Sequence, residues 1–431
     1  MYICQSLKFE FVKQNIWYSI RRSLLSVMLV VLAIQTFSQS SYPFIVDSMN
    51  VIRIPNQKSE RLNTFYDKMN ALLRGSKNQV SILHIGGSHV QADMFSHQVR
   101  SHFDTLIQNH HASRGLIFPY ETAKTNNPYN YKVTHKGEWT PSRNVRDTRV
   151  AQLGMMGIAV TTKDTLAEIT VNLNPTDEKH RWTFNKLTLI GYADSSLVEP
   201  VLIVNDTVYK VSYDSVSSSY VYKIPSLAES FTVKIVQNDT IPHQFTVNGF
   251  VAENDDKGFV YHAIGVNGAS VPSYLSCEFF ERDLALIHPD LVIFAIGIND
   301  AASDSFSDSV FISNYDSLIA KIERVVPDCA YIFITNNDSF KKIKGKKSSY
   351  YVVNKNGLRV QKDFYELAKR HDGGVWDMFA LMGGLSSMKQ WEAFGLAKKD
   401  KIHFTAKGYR LMGDMLYRAI LESYNQSMLN R

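Results

Sequence analysis

Cysteine is scarce in this chain, which has three in 431 residues. Cys4 lies near the N-terminus, so only Cys277 and Cys329 remain for the body of the protein. A chain of this size buries enough apolar surface to be stable without disulfides. We therefore expect two buried thiols, with a Cys277–Cys329 disulfide as the open alternative.

Charge of one sign is also in short supply. The formal net charge is +6, from 47 basic and 41 acidic residues. Residues 1–38 contribute +3 of this excess, which leaves +3 for the rest of the chain. So small an excess does not indicate a nucleic-acid partner. The basic stretch at 341–347 is predicted to be a solvated loop, with contact to an anionic cell-wall polymer as the alternative.

Long apolar runs are missing as well. The run Leu24–Ile34 is shorter than the ~20 residues that a membrane-spanning helix needs. It follows Arg21 and Arg22 and gives way to the small and polar residues 36–40. This order predicts a secretory signal peptide over residues 1–39, and hence an exported protein. An uncleaved N-terminal membrane anchor is the alternative.

Two hydrophobic patterns divide the remaining chain. In residues 40–115 and 256–431, continuous apolar strands alternate with amphipathic helices, which predicts a parallel sheet covered on both faces. In residues 116–255, short runs of β-branched and aromatic residues are separated by turn-forming residues, which predicts an antiparallel β-sandwich. The sequence therefore predicts one α/β domain that is interrupted by a β-rich insertion.

Ser88 follows the predicted strand Val80–Ile85 after Gly86 and Gly87, and a helical pattern begins soon after it. The hydroxyl of such a serine lies at the carboxyl edge of the sheet, where open α/β folds bind ligands. The start of the helix also supplies backbone N–H groups that favour developing negative charge. Ser88 is therefore a candidate nucleophile, and a simple helix N-cap is the alternative.

Asp400 and His403 lie three residues apart, just before the last predicted helix. In a short turn, the carboxylate can accept a hydrogen bond from His403 Nδ1, which leaves Nε2 free to act as a base. The alternative is an ordinary loop carboxylate beside a surface or capping histidine.

Two further strand ends carry groups that suit an oxyanion. Asn299 lies in the segment Gly297–Asp300 after the predicted strand Leu291–Ile296, and its side chain can donate an N–H. Gly268 lies in a loop after the predicted strand Phe259–His262, and its backbone N–H can come close to a ligand. Each segment is also compatible with an ordinary turn at a strand end.

Taken in order, these residues resemble the SGNH/GDSL hydrolases, a family named for Ser, Gly, Asn and His in four sequence blocks. Ser88 matches the first block, Gly268 the second and Asn299 the third, while Asp400 and His403 match the last. The resemblance implies a serine esterase whose triad is Ser88, Asp400 and His403. It also implies an oxyanion hole made by the N–H groups of Ser88 and Gly268 and the side chain of Asn299.

The resemblance covers about residues 80–110 and 255–425, and it implies a flavodoxin-like three-layer α/β/α fold. Residues 86–93 and 115–120 are also similar to the peptidoglycan O-acetylesterases of Gram-negative bacteria. Those enzymes carry a histidine after the nucleophile and a β-rich, carbohydrate-module-like domain between the first two blocks. The insertion at 116–255 occupies that position. The resemblance therefore implies a periplasmic enzyme that acts on an O-acetylated glycan.

The chain departs from the family at Gly87, where the usual residue is an aspartate that helps to hold the nucleophile loop. Glycine leaves this loop less constrained and removes a polar partner. In the insertion, Trp182 and Tyr220 are predicted to pack in the core, with a role as exposed glycan-binding aromatics as the alternative.

The predicted chemistry requires no metal or organic cofactor. His84, His97, His262 and His288 lack a convincing ligand spacing and are predicted to be packed or surface residues. Three alternatives stay open. The acetyl group can pass to a sugar hydroxyl, as in an O-acetyltransferase. The substrate can be an acetylated plant or capsular polysaccharide. Or the protein is a non-catalytic glycan-binding module in which Gly87 accompanies lost activity.

Overall fold

The computed structural model describes residues 42–175, 180–345 and 348–430. The predicted signal peptide, residues 1–39, lies outside the described residues, as do Lys346 and Lys347 of the basic stretch. Within the described ranges, no helix combines the length and apolar character that crossing a membrane would need.

The strands alternate with helices at both ends of the chain and follow one another directly in its middle. The strands are β1 (Ile52–Arg53), β2 (Gln79–Gly86), β3 (Gly115–Ile117), β4 (Lys132–Lys136), β5 (Thr140–Arg143), β6 (Ile158–Thr162), β7 (Glu168–Asn172), β8 (Phe184–Ala193), β9 (Val198–Val204), β10 (Thr207–Lys210), β11 (Tyr220–Ala228), β12 (Ser230–Gln237), β13 (Phe245–Glu253), β14 (Gly258–Gly265), β15 (Leu291–Ala295), β16 (Ala330–Ile334), β17 (Phe340–Lys344), β18 (Ser349–Val353) and β19 (Gly374–Trp376). The α-helices are α1 (Glu60–Leu73), α2 (Ser88–Gln91), α3 (Met94–Asp104), α4 (Val271–Leu275), α5 (Phe280–Leu284), α6 (Ile298–Ala301), α7 (Asp308–Glu323), α8 (Asn356–Arg370), α9 (Met378–Leu381), α10 (Met388–Ala393) and α11 (Ala406–Leu429).

The α/β part is built on a sheet of order β1-β19-β16-β15-β2-β14, in which all strands but β1 run parallel. In chain order, the five parallel strands have the order 2-1-3-4-5, which is that of flavodoxin-like folds. Residues 291–294 of β15 are all fully buried, because helices cover both faces of a parallel sheet. Helices α1, α3 and α11 pack together, and α7 packs against α4 and α8. The predicted α/β/α fold class is confirmed.

The middle of the chain forms two antiparallel sheets. Their orders are β10-β9-β12-β7-β4 and β11-β8-β13-β6-β5, and β3 also pairs with β13. The ring of Phe231 in the first sheet contacts Phe184 and Phe250 in the second, so the inner faces pack as a sandwich. This confirms the predicted antiparallel sandwich; the exact domain boundaries stay a prediction.

Three expectations about individual residues are decided by burial and pairing. Trp182 and Tyr220 are 2% and 6% exposed, so they pack in the core as predicted, and the alternative of exposed glycan-binding aromatics is wrong. Cys277 and Cys329 are free, buried thiols, as expected. The prediction of a loop at residues 341–344 is wrong, because they form strand β17, which pairs with β18 in a separate hairpin.

Candidate active site

The carboxyl ends of β14, β2 and β15 lie side by side in the parallel sheet. The loops after these strands carry Gly268, Ser88 and Asn299, respectively. The strand order reverses at β2, which lies between the second and third strands of the fold. Ligands bind at such a switch point in doubly wound sheets, so three of the predicted site residues converge where the fold favours a site.

A tight turn between β2 and α2 places Ser88 at the first position of its helix. A side chain at Gly86 would put its Cβ 2.3 Å from Val90 Cγ2 and 3.0 Å from the carbonyl oxygen of Ala295. Only glycine therefore fits where the strand turns into the helix. The hydroxyl of Tyr274 donates to the carbonyl oxygen of Gly86 at 2.8 Å and holds the end of the strand.

The structure brings together three residues that the sequence places far apart. Ser88 Oγ lies 2.8 Å from His403 Nε2, although the two residues are 315 positions apart. His403 Nδ1 lies 2.9 Å from Asp400 Oδ2. Both contacts have the length of good hydrogen bonds. This is the arrangement in which a carboxylate orients an imidazole and the imidazole accepts the proton of a serine.

The turn from Asp400 to His403 is shaped by Lys401, whose φ of +56° lies in the left-handed region. The turn aims the N–H groups of Ile402 and His403 at Asp400 Oδ1, each at 2.9 Å. Partial burial works to raise the pKa of the Asp400 carboxyl, but the hydrogen bonds from these N–H groups and from the imidazole lower it overall. Asp400 is therefore ionised at neutral pH and can stabilise a protonated His403.

The predicted oxyanion donors come from Ser88 and from the loops after the two strands that flank β2. Asn299 Nδ2 donates to the carbonyl oxygen of Ala269 at 2.8 Å, which leaves its second N–H free to point at a ligand. Gly268 has φ +85° and open space where a Cβ would stand, so its backbone can approach a substrate closely. The N–H of Ser88 is one of the first in α2 and has no acceptor within the helix.

Gly87 has φ −103°, which any residue can adopt. A Cβ on this residue would lie 3.4 Å from Asn299 Nδ2 and 3.5 Å from the carbonyl oxygen of Ala269, both ordinary contact distances. The backbone therefore does not require glycine here. An aspartate at this position would approach the side-chain amide of Asn299. In this chain that amide donates to the carbonyl oxygen of Ala269.

His89 packs against His403, with a distance of 5.3 Å between the two ring centres. Its Nδ1 lies 2.7 Å from the hydroxyl of Tyr409. Burial and then the nearby His403 lower the pKa of His89 to about 3. His89 therefore stays neutral at functional pH and adds no positive charge beside a protonated His403.

Gln91 has no role among the sequence-based predictions, yet its side chain connects three parts of the site. Gln91 Oε1 accepts the N–H of Asn267 at 2.7 Å, next to Gly268. Its Nε2 donates to Thr125 Oγ1 and to the backbone oxygen of Asn126, both at 3.1 Å, in the loop between β3 and β4. Gln91 thus ties the nucleophile helix to the Gly268 loop and to the sandwich. Its position one helical turn after Ser88 is the only signal in the sequence.

A buried charge cluster holds the other end of the nucleophile segment. Asp93, 3% exposed, is paired with Arg100 at 3.0 Å and with Arg114 at 2.6 Å, and both guanidinium groups are also buried. Asn130 Nδ2 donates to the same carboxylate at 2.9 Å. Burial opposes ionisation, but the two guanidinium groups hold the pKa of Asp93 far below its usual range. Asn130 lies in the insertion, and Arg114 directly precedes β3, which pairs with β13 of the sandwich, so this cluster also joins the two parts of the fold.

The remaining histidines lie outside the site. His84, His97 and His262 are buried and His288 is exposed, as predicted. Among the residues that the structure describes, no group of three or more His, Cys, Asp or Glu side chains is arranged to hold a metal ion.

The sequence of this chain was compared with known protein families, and one family matches the part that carries most of these residues. Residues 236–411 match the GDSL-like Lipase/Acylhydrolase family. The match includes Gly268, Asn299, Asp400 and His403, and the structure adds Ser88 through its contact with His403 Nε2. The chain contains an SGNH hydrolase domain. It is accordingly a carboxylic ester hydrolase.

Solved structures resemble this chain to different extents. A peptidoglycan O-acetylesterase is similar with a TM-score of 0.68 and 21% identity, over 84% of this chain and 96% of that one. A family two carbohydrate esterase from Cellvibrio japonicus has 10% identity over 69% of this chain and 99% of its own, with a TM-score of 0.26. A GDSL-like lipase from Bacteroides thetaiotaomicron has 17% identity over 38% of this chain and 76% of its own, with a TM-score of 0.28. Comparison with curated proteins finds no match.

Proposed function

We propose that this SGNH hydrolase removes O-acetyl groups from a cell-wall polysaccharide through an acetyl-serine intermediate. The hydrogen-bonded series Ser88–His403–Asp400 is the observation that carries the proposal. The similarity to a peptidoglycan O-acetylesterase extends over 84% of the chain, more than the α/β part alone, and supports a glycan substrate.

In the first half of the reaction, Ser88 Oγ attacks the acetyl carbonyl while its proton passes to His403 Nε2. Asp400 stabilises the imidazolium that forms. The tetrahedral oxyanion accepts hydrogen bonds from the N–H groups of Ser88 and Gly268 and from Asn299 Nδ2, each contributing ~3 kcal/mol in the transition state. The C–O bond to the sugar then breaks, and the imidazolium protonates the departing sugar oxygen.

In the second half, a water molecule attacks the acetyl-Ser88 carbonyl and gives one proton to His403 Nε2. The same three donors hold the second oxyanion. When the bond to Ser88 breaks, the imidazolium returns its proton to Oγ, and acetate leaves. The enzyme regains its starting state with no other reactant than water.

The proposal includes export to the periplasm through residues 1–39. The support is the order of basic residues, the apolar run Leu24–Ile34 and the small polar exit in the sequence. Peptidoglycan lies in that compartment, so the location and the substrate agree.

Acetate release tests the proposal. The protein without residues 1–39 is incubated with 4-nitrophenyl acetate and, separately, with O-acetylated peptidoglycan, beside Ser88→Ala and His403→Ala. Ser305→Ala and His288→Ala serve as matched controls, because both side chains are exposed and outside the site. We expect both reactions in the parent and both controls, and neither in the triad variants.

Two results would contradict the proposal in different ways. Hydrolysis that survives in Ser88→Ala would remove the acetyl-serine intermediate. Hydrolysis of 4-nitrophenyl acetate without any acetate from peptidoglycan would keep the triad and reject the substrate.

A further inference from the structure

The β17–β18 hairpin combines positive charge with exposed apolar side chains. Lys342 and Lys344 on β17 are exposed. Tyr350, Tyr351 and Val352 follow one another on β18 with exposed fractions of 53%, 37% and 38%. A solvated charged strand does not account for three consecutive exposed apolar residues. Successive residues of a strand lie on opposite faces, so Tyr351 is on one face of the hairpin and Tyr350 and Val352 are on the other. Exposed apolar side chains can mark a binding surface.

The pairing of the strands places both lysines beside Tyr351. Lys342 lies directly opposite Tyr351, and Lys344 is two residues further along the same strand. Residues that are opposite or two apart share one face of a sheet. Lys341 lies on the other face, where it forms an ion pair with Asp304 at 2.6 Å.

This face adjoins the turn that carries Asp400 and His403. The N–H of Phe340 donates to the carbonyl oxygen of Lys401 at 3.2 Å. Nζ of Lys401 lies 5.0 Å from the centre of the Tyr351 ring. Because Lys401 is two residues from His403, a polymer on this face of the hairpin lies beside the base of the triad.

Positive charge is concentrated here. Among the residues that the structure describes, the hairpin face and residues 392–401 hold five lysines against two carboxylates: Lys342, Lys344, Lys398, Lys399 and Lys401 against Glu392 and Asp400. Glu392 is already paired with Lys401 at 2.6 Å. We call Lys342, Lys344, Tyr351, Lys398 and Lys399 the basic rim.

We propose that the basic rim binds a carboxylate-bearing glycan strand, whose acid groups pair with the lysines while a sugar ring packs on Tyr351. The inference rests on the proposed esterase function, and it identifies the substrate of that site as an acidic rather than a neutral acetylated glycan.

The physics favours a polymer over a small anion. A single pair of exposed charges contributes little, because water and salt screen it. A strand with carboxylates on successive units engages several lysines at once, so weak contacts add up. Tyr351 contributes a rigid ring that offers apolar area while its hydroxyl stays in water. A strand held in this way presents its ester groups to Ser88.

The test compares Lys342→Gln/Lys344→Gln with the parent on O-acetylated peptidoglycan, before and after its carboxylates are converted to neutral amides. Acetate release is divided by the rate with 4-nitrophenyl acetate, so that any general loss of folding or triad function cancels. Lys362→Gln/Lys369→Gln is the matched control, since it removes two exposed lysines from α8. We expect the ratio to fall about three- to tenfold in the rim variant on the acidic substrate. The loss should shrink in about 0.5 M salt and vanish on the amidated substrate.

An equal ratio in parent and rim variant, or an equal fall in the α8 control, overturns the inference. Binding is measured apart from catalysis by the sedimentation of Ser88→Ala protein with the same two insoluble substrates. The protein is used with and without the rim substitutions. If the parent releases no acetate but rim-dependent binding to the acidic form persists, the proposed function fails and the binding surface stands. If acetate is released but binding does not depend on the rim residues, the proposed function stands and the binding surface is rejected.

Discussion

Asn299 Nδ2 donates to the carbonyl oxygen of Ala269 at 2.8 Å, so the third sequence block is anchored to the loop of the second. The neighbouring Asp300 strengthens this link, because its carboxylate accepts the N–H of Val271 at 3.2 Å. The amide that we assign to the oxyanion hole is therefore positioned before any substrate arrives. Preorganised donors of this kind are worth most in the transition state, since they need no rearrangement during the reaction.

Replacing this amide should slow the chemical step. We expect Asn299→Ala to lower kcat for 4-nitrophenyl acetate by about 10²–10³-fold, with KM changed much less, because the donor acts mainly on the oxyanion. Asn299→Asp should lose at least as much, since it puts an acceptor where a donor is needed. Steady-state kinetics of the two variants provide the check, and a kcat within about threefold of the parent would exclude Asn299 from the oxyanion hole.

Asp400 should matter through the tautomer of His403. In Asp400→Asn the amide can donate to Nδ1, which leaves Nε2 protonated and unable to accept the proton of Ser88. We expect kcat to fall by about 10⁴-fold, as in comparable triads, while the thermal midpoint shifts by a few degrees at most. The exposed Asp328, which lies before β16 at the opposite edge of the sheet, gives the matched control Asp328→Asn. Activity retained in Asp400→Asn would contradict the assigned role.

Gly86 and Gly87 should respond differently to substitution. At Gly87 a Cβ meets only ordinary contacts, so Gly87→Ala and Gly87→Asp should fold with stability within about 1 kcal/mol of the parent. At Gly86 a Cβ would lie 2.3 Å from Val90 Cγ2, so Gly86→Ala should cost several times more. Thermal unfolding of the three variants measures this, and equal losses at both positions would refute the distinction.

The activity of Gly87→Asp carries separate information. If the missing aspartate leaves the nucleophile loop less constrained, kcat should rise in this variant and not in Gly87→Ala. If kcat rises in both variants, the cause would instead be the backbone freedom of glycine, which both substitutions reduce.

Stability should vary little with pH between about 6.5 and 4. Burial lowers the pKa values of His84, His89 and His262 to about 3, so only the unfolded chain binds these protons and stability falls as the pH drops through this range. Burial also raises the pKa values of Asp283 and Asp300 to about 6, and burial together with Asp308 raises that of Asp363 to about 7. The folded chain binds these protons first, which increases stability as the pH drops. The histidines and these carboxyl groups therefore have opposite effects on stability until the carboxyl groups of the unfolded chain are protonated near pH 4.

Below that pH the histidine contribution continues, and carboxylates whose pKa values are lowered in the folded chain, such as Asp93 and Asp400, add to it, so stability should fall steeply. The thermal midpoint of the parent, followed from about pH 7 to about pH 3, should therefore be nearly flat and then drop. Asp363→Asn removes one opposing group and should make the midpoint decline already between about pH 6.5 and 4. Parallel curves for the two proteins would show that Asp363 does not titrate in this range.

The sequence by itself determined the elements of the fold and the candidates for its site. Apolar periodicity is a local property, so the strand and helix patterns and the strand-rich middle can be identified directly. The ends of the strands can be identified too, and the carboxyl ends of parallel strands share one edge of their sheet. For that reason the sequence alone groups Ser88, Gly268 and Asn299 at one site.

Only the tertiary structure decided what these residues touch. The contact between Ser88 and His403 spans 315 positions and depends on how the last helix packs, which no local pattern records. The same holds for Gln91, whose partners come from two other segments, and for Trp182, whose aromatic character fits a core as well as a binding surface. Residues 341–344 of the basic stretch form a strand because they pair with residues 349–353 in a hairpin, a pairing that the run of lysines does not indicate. Local sequence sets the propensities; long-range packing, which is worth more free energy than any single propensity, selects among them.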